Sequence, residues 1–442
     1  MMLKDVDLVT LEAELGGLVE MTTVEGPEAD RWTVRGVAPR LVCKPSTPEE
    51  LAAVLARCDR AGAAVIPWGG GAQQRLGMLP RRADVVLQTS RLNQILEYEP
   101  GDLTVTVEAG LPLSTLQEEL ARNGQLLAVD PPVGEATTIG GLVATNVNGP
   151  RRLKNGGLRD LVIGTRMASV DGKVTRAGGH VVKNVTGYDL NKAHVGSLGT
   201  LGILAEVSLK IAPKPVLERS WFGIFPTVDE ASSAAATLLR LPAAPSALDI
   251  LNHRAARAVG LAVTPGQWVL LASAAGFEQT VNRYLAEFEA AARSAGAVGS
   301  EAMLERAATE LWATYRNTVA GLRWSSSEAL TCRLALPPVE VGRLCALADA
   351  AGAEPLVWSH AWGAVFWSIP AAGASLVPDH VVGLRRAAEA VNGALVIENW
   401  PVGLTGVDVW GRPNGPLAIM QAIKKQFDPN DTLNPGRYVG GI

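Results

Sequence analysis

Cysteine and histidine are scarce. Cys43, Cys58, Cys332 and Cys345 stand far apart with no CxxC pair, which argues against a disulfide framework and against an iron–sulfur cluster held by this chain alone. They suit small core positions. The five histidines include no HExxH or other helical metal pair. An excess of one charge is missing too: 40 Lys and Arg stand against 44 Asp and Glu, and no basic stretch is interleaved with aromatics, so nucleic acid is set aside as a partner. Nowhere do about 18 apolar residues run together, and the start MMLKDVDLVTLEAELGG has no apolar core of a signal peptide. No direct membrane insertion is expected. A cytoplasmic location follows, with any membrane contact made through partners. The 442 residues suffice for roughly two or three domains.

Glycine, by contrast, is concentrated. VIPWGGGAQQRLG, residues 65–77, places three glycines behind a short apolar run; this is either an ordinary loop or a backbone cradle whose N–H groups converge on phosphate. DPPVGEATTIGGLVATNVNG, residues 130–149, adds a Gly140-Gly141 pair with hydroxyls and amides. GGHVVKNVTGYDLNKAHVGSLGTLGI, residues 178–203, sets Lys183, Asn184, Thr186, Tyr188 and Asp189 among further glycines. A large polyphosphate-bearing cofactor accounts for all three. No GK[ST] follows the first loop, so the Walker pattern is absent, and no clean helix follows it either, which weakens a Rossmann reading.

Periodicity supplies the frame. STPEELAAVLARCDRAGA reads as a helix capped by Thr47, with Pro48 in its first turn and Gly62 after its last. STLQEELARNG reads as a second helix, with Ser114 and Gln117 at capping-box spacing and Gly124 closing it. LTVTVEAG alternates as a strand does, and LVIGTRMASVDGKVTRAGG reads as a hairpin turning at Asp171-Gly172. Prolines 213 and 215 mark a boundary. Beyond it, short strands in SWFGIFP, QWVLLASA, RLALPP, LVWSHAWGAVFWSIP and GALVIEN alternate with alanine-rich helices at 230–240, 277–295, 338–351 and 380–391. This predicts an α+β domain with helices on one face of a mainly antiparallel sheet. No sequence repeat of fixed period is visible.

IPWGGGAQQRLG, TIGGLVATNVNG, LRDLVIGTRMASVDG, VVKNVTGYDLNK, GSLGTLGILAEVSLKIAPKP and the final KKQFDPNDTLNPGRYVGGI resemble the FAD-binding fold of the vanillyl-alcohol oxidase and p-cresol methylhydroxylase (PCMH) type. Within it they resemble most the E-type subunits of bacterial glycolate oxidases. The resemblance implies an α+β chain: an N-terminal segment (1–36), a two-part PCMH-type FAD-binding domain (37–215), a smaller ferredoxin-like α+β cap with an antiparallel sheet (216–400), and a C-terminal segment (401–442) returning to the FAD domain. It implies that Gly69, Gly70, Gly71, Ala72 and Gln73, with Gly77 ending the loop, hold the FAD pyrophosphate. Thr138, Gly140, Gly141, Ala144 and Thr145 would follow the ribityl chain and flavin, and Gly202 and Ile203 the adenine side. Some members attach FAD through a histidine in the first loop. Ala72 stands there, so noncovalent FAD is implied.

The resemblance further implies an FAD-dependent oxidoreductase acting on a small 2-hydroxy acid as one subunit of a complex, with a second flavin subunit and an iron–sulfur subunit as partners. A self-sufficient alcohol or hydroxy-acid oxidoreductase and a structural FAD-bound assembly subunit are the alternatives. Related dehydrogenase subunits hold a metal with a histidine, a second histidine seven residues on, and a later Glu-His pair. Here His360 is followed by Trp367, and Glu398 by Asn399, so no metal site is expected. The catalytic candidates are His360, as a base beside the flavin or a packed strand residue, and Arg333, as a carboxylate anchor or a salt-bridge partner. Asp408 and Trp410 in DVWG match a recurring element of the E-type subunits without an assigned chemistry.

Overall fold

The computed structural model describes residues 6–179, 189–242, 245–370, 377–401, 408–411 and 415–442. The first unit carries two sheets. Strands β1 (Glu20–Thr23), β2 (Leu41–Lys44), β3 (Val65–Trp68) and β4 (Val85–Gln88) form one in the order β1-β2-β4-β3, with β2, β4 and β3 parallel. The crossover from β2 to β3 is the helix Pro48–Ala61. Its ends follow from local chemistry: the Thr47 hydroxyl accepts from the Glu50 N–H at 3.1 Å, and Gly62 takes the left-handed conformation that closes the last turn. Leu51, Val54, Leu55 and Cys58 line its buried face.

Strands β5 (Ile95–Glu99), β6 (Thr104–Glu108), β8 (Val162–Ala168), β9 (Val174–Gly178) and β10 (Ile203–Lys210) form the second sheet, antiparallel in the order β5-β6-β10-β8-β9; β7 (Gln125–Leu126) pairs separately with β11 (Ala212–Pro213). The β8–β9 hairpin turns at Asp171 and Gly172, whose φ is +83°. One helix start differs from expectation. Leu113–Arg122 begins after Pro112, so Ser114 lies inside the first turn and caps nothing. Gln117 is used elsewhere, its amide exchanging hydrogen bonds with the Leu127 backbone at 2.8 and 3.0 Å.

Beyond residue 216, β12 (Leu217–Phe225), β13 (Ala247–Asn252), β14 (Trp268–Gly276), β15 (Gly299–Met303), β16 (Leu330–Ala335), β17 (Leu356–His360), β18 (Ala364–Ile369) and β19 (Ala394–Asn399) build one eight-stranded sheet, ordered β15-β12-β14-β13-β17-β18-β16-β19. The order shows a duplication. β12 to β15 and β16 to β19 each run strand, helix, strand, strand, helix, strand, the first with the short helix His253–Ala258 inserted between β13 and β14, and the two halves meet at the antiparallel β13–β17 seam. This repeat lies in topology, which residue spacing did not reveal.

The expected one-sided packing is also corrected. Helices Val228–Leu239, Glu278–Ser294, Val341–Asp349 and Val377–Glu389 cover the face carrying Ile250, Leu270, Val365 and Trp367. Helices His253–Ala258 and Glu305–Ala320 cover the other, with Leu251, Leu271, Trp358 and Phe366. Both faces are buried, which explains why WVLLASA reads as a continuous apolar run instead of an alternating one. The C-terminal segment then crosses back: Val65 N–H donates to Thr432 O at 2.7 Å and Asn434 N–H to Val65 O at 2.9 Å, placing Leu433 in parallel beside β3. All four cysteines are buried and free.

Candidate active site

The glycine loop leaves β3 at Trp68 and runs directly over the start of the short helix Ile139–Thr145. The approach leaves no room for side chains. A Cβ on Gly69 would collide with the Thr138 hydroxyl, and one on Gly70 with the Ala136 carbonyl. A Cβ on Gly140 would come within 2.7 Å of Ala109 Cβ, and one on Gly202 within 2.6 Å of Met167 Sδ. Gly71, at φ +75°, needs the left-handed region itself. Thr138 caps the helix, its Oγ1 accepting from Gly141 N–H at 3.2 Å.

These segments line a partly open cavity beside the loop. Gly69, Gly70, Gly71, Ala72, Gln73, Thr138, Gly140, Gly141, Ala144, Thr145, Gly202 and Ile203 all line it. Gly77 does not; it sits at φ +99° where a Cβ would come within 2.8 Å of the Arg437 carbonyl. The wall also presents unused polar groups. Gln73 Oε1 accepts from Thr145 Oγ1 at 3.2 Å, while its Nε2 and the Thr137 hydroxyl are buried without partners. Backbone in close approach, with spare neutral donors, fits the diphosphate and ribityl chain of FAD.

Several wall residues escaped sequence reasoning. Thr137, Ser197, Leu198, Gly199, Asn434 and Arg437 also line the cavity. Asn434 and Arg437 belong to NPGR, which carried the resemblance but no role. Arg437 is buried, and its guanidinium donates to Gln74 O at 2.7 Å, Leu76 O at 2.6 Å and Gln74 Oε1 at 2.7 Å, holding the far end of the loop. Burial pushes its pKa down to about 10.

A second cavity adjoins the first and shares Leu76, Thr145 and Leu198 with it. Its walls carry Arg152, Arg323, Arg333 and Glu398 from both units. Arg323 rides on a π-helical turn, Gly321–Ser325, and pairs with Glu398 through Nε at 2.6 Å and Nη2 at 2.9 Å. Arg333 adds its Nε at 2.9 Å. Arg323 and Glu398 are both buried, and Arg323 Nη1 has no partner. Arg152 lies 4.5 Å over the Trp362 ring; burial, with Arg333 nearby, lowers its pKa.

His360 lines neither cavity. It ends β17 in the seam, paired with Asp249 of β13, where its Nδ1 meets Asp249 Oδ1 at 2.9 Å while Asp249 Oδ2 accepts from Tyr315 Oη at 2.7 Å. Its Nε2 is buried without a partner, and Trp362 and Phe366, whose rings lie 5.4 and 5.1 Å from its own, belong to the cavity wall. Nearby, burial pushes the Asp130 carboxyl up to about 6 although Arg151 opposes the shift.

The metal comparison also changes in detail. Counting seven residues from His360 reaches Trp367, but strand alternation turns that indole to the opposite face, where Nε1 donates to Ala351 O at 2.9 Å. The neighbour on the His360 face is Phe366. Asn399 is fully engaged, accepting from Arg75 Nε at 2.8 Å and donating to Leu322 O and Ser326 O at 3.0 and 2.9 Å. Among the described residues, no three His, Cys, Asp or Glu side chains gather as metal ligands. Lys183, Asn184, Thr186 and Tyr188 lie outside the described residues, and Asp189 is exposed. Trp410 lines the second cavity, donates Nε1 to Arg437 O at 3.1 Å and packs edge-on against Tyr438; Asp408 fixes that turn by accepting from Gly411 N–H at 3.0 Å.

Comparison with known proteins agrees with this geometry. Residues 39–178 match the family described as FAD binding domain, and residues 216–366 with 402–438 match FAD linked oxidases, C-terminal domain. The glycolate oxidase subunit GlcD of Bacillus subtilis is 27% identical over 423 residues, covering 90% of this chain and 88% of the relative. The glycolate oxidase subunit GlcE of Escherichia coli is 48% identical over 122 residues, but that stretch spans only 27% of this chain and 35% of the relative. The crystal structure of p-cresol methylhydroxylase with substrate bound superposes with a TM-score of 0.76 at 16% identity, covering 97% of this chain and 96% of that one. The two matched domains, the PCMH-type fold and the glycine-walled cavity together place the chain in the FAD-linked oxidases, and it belongs to that family as an FAD-dependent oxidoreductase.

Proposed function

We propose that this chain is an FAD-binding subunit of a glycolate oxidase-like 2-hydroxy-acid dehydrogenase complex, with a second flavin subunit and an iron–sulfur subunit carrying electrons onward. The observation that supports this most is the arginine-walled cavity adjoining the cofactor cavity. Arg152, Arg323 and Arg333 stand against Glu398 on the wall and Asp160 beside Arg152, leaving an excess of one positive charge suited to a small anion. Guanidinium groups match a carboxylate in pairs of parallel hydrogen bonds.

Bound FAD supplies the hydride-accepting ring. The chain's own residues bind and orient. Arg333 commits Nε to Glu398 and keeps its terminal nitrogens for a ligand, while Arg323 offers the unpartnered Nη1. Trp362, Phe366 and Trp410 exclude water from one side. No free base stands on the described wall: both Glu398 oxygens receive guanidinium hydrogen bonds, and His360 lies behind aromatic rings. The lone chain therefore turns over slowly, which favours a complex over a self-sufficient enzyme. FAD is noncovalent in this reading, since no His, Cys or Tyr is among the described residues lining the cofactor cavity.

The test is anaerobic flavin reduction with glycolate and with D- and L-lactate. The lone chain should bleach slowly, zinc or manganese should not accelerate it, and co-purified partner subunits should. Acid denaturation should release the flavin. Rapid bleaching by the lone chain would mean a self-sufficient oxidoreductase, and no bleaching even in the complex would leave FAD as a structural group.

A further inference from the structure

Three arginines cluster behind the glycine loop with no carboxylate bonded to them among the described residues. Arg35 donates from Nη2 to Arg75 O at 2.8 Å and from Nη1 to Trp400 O at 2.9 Å, with its guanidinium 3.3 Å over the Trp400 ring. Arg75 donates to Asn399 Oδ1. Arg437 takes Gln74 O, Leu76 O and Gln74 Oε1, and its Nε is buried without a partner. Every acceptor is a neutral carbonyl or amide. Burial, with Arg75 and Arg437 close by, pushes the Arg35 guanidinium down to about 9, so the three groups repel one another. The residues that follow Pro401 outside the described set, 402–407, contain no acid.

Arg437 is buried and Arg35 and Arg75 are half-buried, and like charges drawn this far out of water gain from an opposite charge close at hand. Arg437 lines the cofactor cavity, and the loop carbonyls of residues 74, 75 and 76 are the ones the cluster holds. We propose that Arg35, Arg75 and Arg437 form a cationic bracket behind the glycine loop whose counter-charge is the diphosphate of FAD, so that the cofactor relieves the bracket's self-repulsion and the bracket retains the cofactor. This adds a long-range charge interaction to the short-range backbone contacts, and it is independent of what the second cavity binds.

The test compares the full chain with Arg35→Gln and Arg35→Lys, each stripped of flavin and titrated with FAD and with riboflavin, which has no phosphate. At low salt Arg35→Gln should weaken FAD binding about tenfold, the scale of one lost charge interaction, and flatten its salt dependence. Riboflavin binding should not change, and the flavin-free variant should melt no lower than the flavin-free parent because repulsion has been removed. Arg35→Lys, which keeps the charge but not the fork, should keep FAD affinity within about threefold. Equal loss of FAD and riboflavin with a lower flavin-free melting point would make the cluster a structural clamp and overturn the proposal. Unchanged FAD affinity and salt slope in Arg35→Gln would overturn it as well.

Discussion

The walls of the cofactor cavity are mostly backbone and neutral groups: glycines 69–71, 140, 141 and 202, threonines and two glutamines. The walls of its neighbour are long charged and aromatic side chains from both units. The two differ in how they can fail. A backbone cradle is set by close approach, so one added carbon destroys it. A side-chain cradle is set by mutual pairing, so removing one partner strands another.

The largest expected effect sharpens that contrast. Gly70→Asp should abolish FAD binding because its Cβ would drive into the Ala136 carbonyl and push the two loops apart. The collision comes before any repulsion from phosphate. Flavin content per folded protein measures it, and full occupancy would mean that the loops part without cost. Next, Arg323→Met should destabilise the fold by about 3 kcal/mol, the lower end of the range for a broken buried pair because Arg333 still holds Glu398. Denaturant unfolding checks this. The double change Arg323→Met with Glu398→Leu should recover most of the loss, whereas additive losses would deny the coupling.

The smallest effect lies behind the second cavity and depends on pH. Asp130 has a folded pKa near 6, above the usual value of about 3.9 for an unfolded chain. A raised pKa means that stability is present in full below the unfolded value and lost as pH rises through the folded one. Wild-type stability should therefore fall by about 1.4 kcal/mol between pH 5 and 7.5 relative to Asp130→Asn, one unit of protonation free energy. Parallel pH profiles of the two proteins would show that this carboxyl does not titrate there.

Much of the cofactor cavity was legible because glycine is a backbone signal carried in single residues. The Thr47 cap, the Gly62 closure and the Asp171-Gly172 turn were legible for the same local reason. Ser114 misled because Pro112 starts that helix earlier than the capping spacing suggested. The second cavity was less legible: Glu398 meets Arg323 and Arg333 across 75 and 65 residues of chain, and no local pattern announces such a pairing. Arg333 was singled out as either an anchor or a salt-bridge partner. The structure shows the salt bridge and puts Arg333 on the cavity wall. The duplicated sheet was hidden because hydrogen-bonding order repeats where residues do not.

The strand contact between Val65 and Leu433 has a consequence for synthesis of the chain. The glycine loop follows residue 65, yet the side chain that holds its far end, Arg437, leaves the ribosome only after the whole eight-stranded unit has been made. Domains fold as units when their parts are available, and here one part arrives last. Nascent chains halted anywhere before residue 437 should emerge without tightly held flavin, making cofactor capture a report that translation has passed the cap and reached the closing segment.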